Sequence, residues 1–216
     1  MSPTDTRERI LAGFTEQLLE VGYLGISLDR ITAAIGIRRP SLYYHFPDGK
    51  EQIYTEVALR MIDQVSQRVT AAVEAPGGLR PQLQALAMIH ADDPRTAALD
   101  QRIYDATRHV SDATRAEVST RYVQGLLVPA ERLMAAAIAD GQLRPADPGL
   151  LMNAFFGLVQ AVQAIPEDLG MPPELRGGAG PSRVELASQV VELFLHGAAS
   201  GERSSGRGGS TSHVPR

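Results

Sequence analysis

Apolar residues recur along this chain at three- and four-residue spacing, the period of a helix, and no stretch keeps the alternation that a half-buried strand needs. Near the N-terminus the stripe is Ile10, Phe14, Leu18 and Val21, opened by Ser2-Pro3 as a cap and first-turn proline. A shorter pattern follows, Leu28, Ile31, Ala34 and Ile35, capped by Ser27 and stopped by Gly36. A third short pattern sets Leu42 and Phe46 on one face, with Pro40 in its first turn, where a missing N–H is harmless. A long helix is predicted over 50–75, with Ile53, Val57, Met61, Val65 and Val69 inward, and Pro76-Gly77-Gly78 stops it. Further helices are predicted over 81–90, 95–109, 111–140, 147–165 and 182–198. Their breakers are Asp93-Pro94, Gly141, Pro145, Pro148, Pro166, Pro172-Pro173 and Gly177-Gly178. There is no internal repeat, and the class is all-α.

Residues 27–50 carry the chemistry. Two short helices joined by a glycine turn form the helix-turn-helix plan, whose second helix enters the major groove of DNA. Gly36 can take the positive φ that ends the first helix, and Ile37 plugs the turn. With Leu42 and Phe46 turned to the core, Arg38, Arg39, Ser41, Tyr43, Tyr44 and His45 are left for the other faces. These are groups that bond phosphates and base edges.

This segment resembles the DNA-binding domain of the TetR family of bacterial transcriptional repressors. The resemblance rests on Ile35-Gly36-Ile37, then Ser41-Leu42-Tyr43-Tyr44-His45-Phe46-Pro47, then Lys50-Glu51, with Arg7-Glu8-Arg9-Ile10-Leu11 and Val21-Gly22-Tyr23 in the preceding helix. It covers roughly residues 5–60; beyond them only length and helical content agree. Arg38 stands where the family usually has a small polar cap, and the Pro47-Asp48-Gly49-Lys50 turn is one residue longer than the commonest form.

The resemblance implies a three-helix head at 1–50, with its motif at about 28–46. A long helix joins it to a helical ligand-binding and dimerisation domain at 51–199. In that scheme Arg38 and Arg39 reach guanine edges or phosphates, and Ser41 and Tyr43 share their face. Tyr44, His45 and Lys50 bond phosphates, Lys50 from the start of the long helix. The expected partners are operator DNA, an apolar or aromatic small molecule, and a second copy bound through the last two helices. Leu150, Leu151, Ala154, Phe155, Leu158, Val159 and Val162 form one apolar stripe for that bundle, and Leu186, Val190, Leu193 and Phe194 the other. Gly157 and Ala161 permit close approach. Both stripes also suit an intrachain core, but two-fold operators call for two-fold proteins, and a homodimer is expected.

Composition narrows the alternatives. The chain has 216 residues, 44% hydrophobic, enough for one small and one medium domain. It has no cysteine, so disulfides, thiolate zinc sites and thiol redox sensing are excluded. No apolar run follows a basic start, and the longest apolar stretch, 150–165, contains Asn153, Gln160 and Gln163 and is short of a membrane span. A cytoplasmic protein is expected, without a membrane partner. The net charge of −4 argues against non-specific nucleic-acid binding. The positive charge is local: Arg38, Arg39, His45 and Lys50. Residues 200–216 are rich in Gly, Ser and Arg and are expected to be disordered.

The ligand site is less visible. Met88, Tyr104, His109, Met134, Met152, Phe155 and Phe156 supply adaptable apolar surface with a few polar handles, which suits a pocket and equally suits a core. His90, Asp92 and Asp93 resemble a metal trio in composition, but they straddle a helix end and read as acidic caps. No cofactor or metal is expected. Sequence does not set the sign of regulation, so an activator or co-repressor-dependent regulator stays open. An all-α enzyme has no support from catalytic triads, paired carboxylates or a phosphate loop. A helical binding module without DNA affinity is supported only by Arg38.

Overall fold

The computed structural model describes residues 3–91, 93–163 and 182–198, and every element in them is helical. The head is α1 (Pro3–Gly25), α2 (Leu28–Ile35) and α3 (Arg39–His45), closed around Ile10, Leu11, Phe14, Leu18, Ile31, Leu42 and Phe46. The long α4 (Lys50–Val73) leaves the head and enters the body, burying Ile53, Val57, Met61, Val65 and Val69 as its spacing predicts. The body is completed by α5 (Leu79–Ala91), α6 (Pro94–Ala106), α7 (Asp112–Tyr122), α8 (Val128–Ala139), α9 (Pro148–Gln163) and α10 (Arg183–Ala198). α10 packs on α5 and α9, while α6 lies against both α1 and α5. No helix among the described residues is long and apolar enough to cross a membrane.

Several expectations are corrected. Val21 is 40% exposed, because α1 breaks at Gly22 (φ 68°, ψ 171°) and the inward stripe ends at Leu18. Ala34 is exposed, lying beyond the edge of the face formed by Leu28, Ile31, Thr32 and Ile35. The 95–109 pattern is α6 followed by a 3-10 turn at Thr107–His109. The 111–140 pattern is α7 and α8 joined by a π-helical turn, Val123–Leu127. Pro129 supplies one cause, since it has no N–H to bond the carbonyl of Gly125. Gly125 also lets the turn lie close to α4, since a Cβ there would lie 2.8 Å from Ser66 Oγ. The Ser2 cap, Asp92 of the acidic trio, the breakers at Pro166, Pro172, Pro173, Gly177 and Gly178, and the 200–216 tail lie outside the described residues.

One polar residue sits on the core face of α1. Gln17 is 7% exposed; its Oε1 accepts from the Ser27 N–H (2.9 Å) and its Nε2 donates to the Ser27 carbonyl (3.3 Å). This pairing sets where α2 begins. Gln17→Ala leaves a part-buried amide without its partner and is expected to cost about 1–3 kcal/mol. A urea titration measures this; an unchanged midpoint would show that Gln17 does not hold the α1–α2 joint.

Candidate nucleic-acid interface and effector pocket

The turn between α2 and α3 is built from local rules. Ser27 Oγ accepts from the Arg30 N–H (3.3 Å), capping α2. Gly36 is left-handed (φ 71°, ψ 34°), and the Ile37 N–H returns to Thr32 O (3.0 Å). Arg9 donates to the Ile35 carbonyl (2.7 Å), one of the C-terminal groups that the helix leaves unpaired. Arg38 occupies the N-cap of α3 with no side-chain cap bond, as its type predicts. Pro40 lessens the loss, because its position has no N–H to satisfy. Leu42 and Phe46, both fully buried, anchor the helix.

That anchoring turns the other side outward. Arg38, Arg39, Tyr43 and Tyr44 are exposed, while Ser41 and His45 are half-buried. Tyr44 is 79% exposed, with His45 against its edge at 5.2 Å. Arg39 pairs with Asp29 of α2 (3.3 Å) and lies 5.9 Å from the Tyr43 ring centre. Tyr43 in turn rests on Gly49, where a Cβ would stand 3.2 Å from Tyr43 Cε1 and where φ is 68°. The longer turn therefore needs its glycine.

Lys50 departs from its expected role. Its Nζ donates to the Ile26 carbonyl (3.3 Å) and sits 4.6 Å from the Tyr23 ring centre, and burial lowers its pKa. In this conformation it braces the head instead of facing a phosphate.

The head is joined to the body by a buried aromatic seam. Tyr54 of α4 donates its hydroxyl to the Ile103 carbonyl of α6 (2.9 Å), and its ring meets Tyr23 edge-on at 5.2 Å. Burial raises the pKa of both phenols. Glu16 of α1 also pairs with Arg95 of α6, and Glu51 of α4 accepts from the Ser111 N–H (2.9 Å).

Beside this seam lies a cavity of about 540 Å³, lined from α4 by Ile62, from α6 and the turn after it by Asp100, Gln101, Ile103, Tyr104 and Thr107, from α7 and the π turn by Val118, Ser119, Tyr122, Val123 and Leu127, and from α9 by Gln160. Its size suits a drug-sized molecule. Of the residues proposed for a ligand site, only Tyr104 lines it. Met134, Met152 and Phe155 are buried core, and Met88 and Phe156 pack partly against that core. His109 is exposed in the 3-10 turn. The cavity instead uses two groups that sequence reading missed. Burial raises Asp100 from an ordinary 3.8 to about 6. Burial, with the charges of Asp100 and Tyr104, pushes Tyr122 up to about 12. The available signal was positional: Asp100 stands three residues before Ile103, and Tyr122 four after Val118. Gln17, likewise missed, stands three residues after Phe14 on the face that buries it. Among the described residues no cluster of three or more His, Asp or Glu side chains could hold a metal ion.

The expected dimer stripes divide. Leu151, Phe155, Val159, Val190 and Phe194 are core, whereas Leu150 (62% exposed), Ala154, Gly157, Ala161 and Leu193 (62% exposed) are exposed among the described residues. Leu158 and Leu186 are half-buried, and the side chain of Val162 lies outside the described set.

Comparison with known proteins agrees with this architecture. Residues 10–57 match the model for bacterial regulatory proteins of the tetR family. The chain is 40% identical over 75 residues to the HTH-type transcriptional regulator LmrA of Bacillus subtilis, a match spanning 35% of this chain and 40% of LmrA. It is 31% identical over 166 residues to an uncharacterized HTH-type transcriptional regulator of Mycobacterium tuberculosis, spanning 72% of this chain and 70% of that protein. In fold it is similar to a bacterial regulatory protein of the tetR family from Rhodococcus RHA1, with a TM-score of 0.71 at 20% identity over 91% of this chain and 98% of the other.

The raised Asp100 pKa has a stability consequence. The folded chain binds this proton more tightly than the unfolded chain, so the Asp100 contribution is most favourable below about pH 4 and is lost as pH rises through about 6. The loss is expected to reach at most about 3 kcal/mol. Asp100→Asn should therefore gain stability relative to the parent at pH 7.5 and much less at pH 4.5. Equal differences in melting temperature at both values would show that Asp100 is adequately solvated.

Proposed function

Because the chain belongs to the TetR family of bacterial transcriptional regulators, we propose that it is a ligand-released repressor that binds a palindromic operator as a homodimer. The observation that carries this is the outward face of α3, where Arg38, Arg39, Tyr43 and Tyr44 stand exposed over the buried anchors Leu42 and Phe46. In this reading Arg38 and Arg39 address guanine edges or phosphates, and Ser41 and Tyr43 support that face. Tyr44 and His45 hold the backbone, which positions the helix without reading sequence. Arg39 must leave Asp29 to do so, a small cost because exposed ion pairs contribute about 0–1 kcal/mol.

The dimer forms through the uncovered strip of α9 and α10, where Leu150 and Leu193 are exposed and Ala154, Gly157 and Ala161 allow close approach. Two-fold proteins read two-fold sites, and the half-site spacing follows from the distance between recognition helices. A ligand in the α4–α6–α7 cavity changes that spacing through Tyr54, which ties α6 to the helix that carries the head. The ligand can act only through unequal affinity for the two arrangements; a coupling of about 1–3 kcal/mol changes DNA affinity roughly 5–150-fold.

Selection of double-stranded DNA from a random pool at physiological salt is the first test. A palindrome should emerge, and Arg39→Ala should weaken binding to it while the fold is retained. A non-palindromic or absent consensus from ligand-stripped, refolded protein would overturn the dimeric-repressor reading. The coupling is tested separately. Tyr54→Phe removes one hydrogen bond and should cost about 1 kcal/mol of stability. It should leave ligand-free operator affinity within a few fold and reduce the release that a cavity ligand produces. Undiminished release would remove Tyr54 from the pathway.

A further inference from the structure

We infer that the cavity between α4, α6 and α7 takes an amphipathic organic monocation, with its ammonium against Asp100 and its apolar body among Ile62, Ile103, Val118 and Leu127. This rests on the effector-site reading above and adds the chemical class. Among the described residues Asp100 is the only charged one in the lining. It forms no hydrogen bond or ion pair among the described residues, although nearly every other carboxylate that shapes the fold has a partner: Glu56 and Glu8 with arginines, Asp63 with Arg121, Asp93 with Thr96. Arg102, two residues along α6, is directed towards Gly22 of α1 and does not neutralise it.

A desolvated carboxylate without a partner is costly in the free protein, and the cost is recovered when a positive charge enters beside it. The phenols of Tyr104 and Tyr122 in the same wall favour a cation in two ways, by their negative ring faces and by their hydroxyl oxygens. Gln101, Ser119 and Gln160 can accept from an ammonium N–H. A hard metal ion fits poorly, since it requires about six oxygen ligands and the lining offers one carboxylate. An anionic ligand would bring like charges together at Asp100. The π turn that contributes Val123 and Leu127 is a further mark of a binding wall, because such turns recur at functional sites.

The test uses three probes of nearly one shape, 4-phenylbutylamine, 4-phenylbutan-1-ol and 4-phenylbutyrate, titrated calorimetrically into the full chain at pH 7.5. The amine is expected to bind most tightly and the carboxylate most weakly. Asp100→Asn should weaken the amine at least about tenfold, equivalent to about 1.4 kcal/mol, and leave the alcohol unchanged. Equal affinity for amine and alcohol, an unaltered amine affinity in Asp100→Asn, or no binding of any probe would overturn the proposal. Operator release is measured in parallel. Asp100-dependent amine binding that leaves operator affinity untouched would keep the cation site and reject the effector reading. Release by the alcohol alone would keep the effector reading and reject the cation site.

Discussion

The bond from the Tyr54 hydroxyl to the Ile103 carbonyl is the contact on which the relation of head to body depends. Ile103 lies in the last turn of α6, where carbonyls lack partners within the helix. Tyr54 supplies one from the neighbouring α4 and is itself fully buried. The ion pair that runs parallel to it, Arg95 with Glu16, is exposed, and such pairs contribute about 0–1 kcal/mol. A displacement of α6 can thus let the pair re-form elsewhere at little cost. It cannot move past Tyr54 without either breaking a buried bond or carrying α4 along.

The same seam explains the odd placement of Lys50. Its ammonium lies over Tyr23, and Tyr23 meets Tyr54 edge-on. The cation also holds the carbonyl of Ile26, one residue before the cap of α2. A row of contacts therefore runs from the cavity wall at Ile103, through Tyr54 and Tyr23, to the joint that Gln17 fixes from the other side at Ser27. Each contact is short-range and packed, which is what a two-position element needs if a small change at one end is to be felt at the other.

The sequence was most legible where structure is local. Helix type and most boundaries followed from apolar spacing, the α2–α3 turn from Ser27, Gly36 and Pro40, and the anchors from Leu42 and Phe46. Periodicity failed where a residue's fate depended on a distant element. Val21 and Ala34 fit their stripes, but a break at Gly22 and the narrow face of α2 leave them outside. Lys50 has the type and place of a phosphate contact, yet a carbonyl and an aromatic ring from another helix claim it. The pocket was hardest, because apolar residue types do not distinguish a cavity wall from a core. Met134 and Phe155 were plausible by type and are simply buried.

What marks the cavity is instead a local rule broken without compensation. Asp100 occupies the inward side of α6 beside Ile103, where an apolar residue would stabilise the fold, and no cation among the described residues answers it. Directly after α7 the helix widens into a π turn, at the place where Gly125, lacking a Cβ, lets it lie close against Ser66. Either feature alone is tolerable in a core. Together they border one space, and the unpaired carboxylate lowers the stability of the ligand-free chain. Binding there can return that energy only to the arrangement of helices that keeps the space open. A wall built from unfavourable choices is therefore more informative about ligand control than a wall of apolar side chains, because packing alone gives no reason for it.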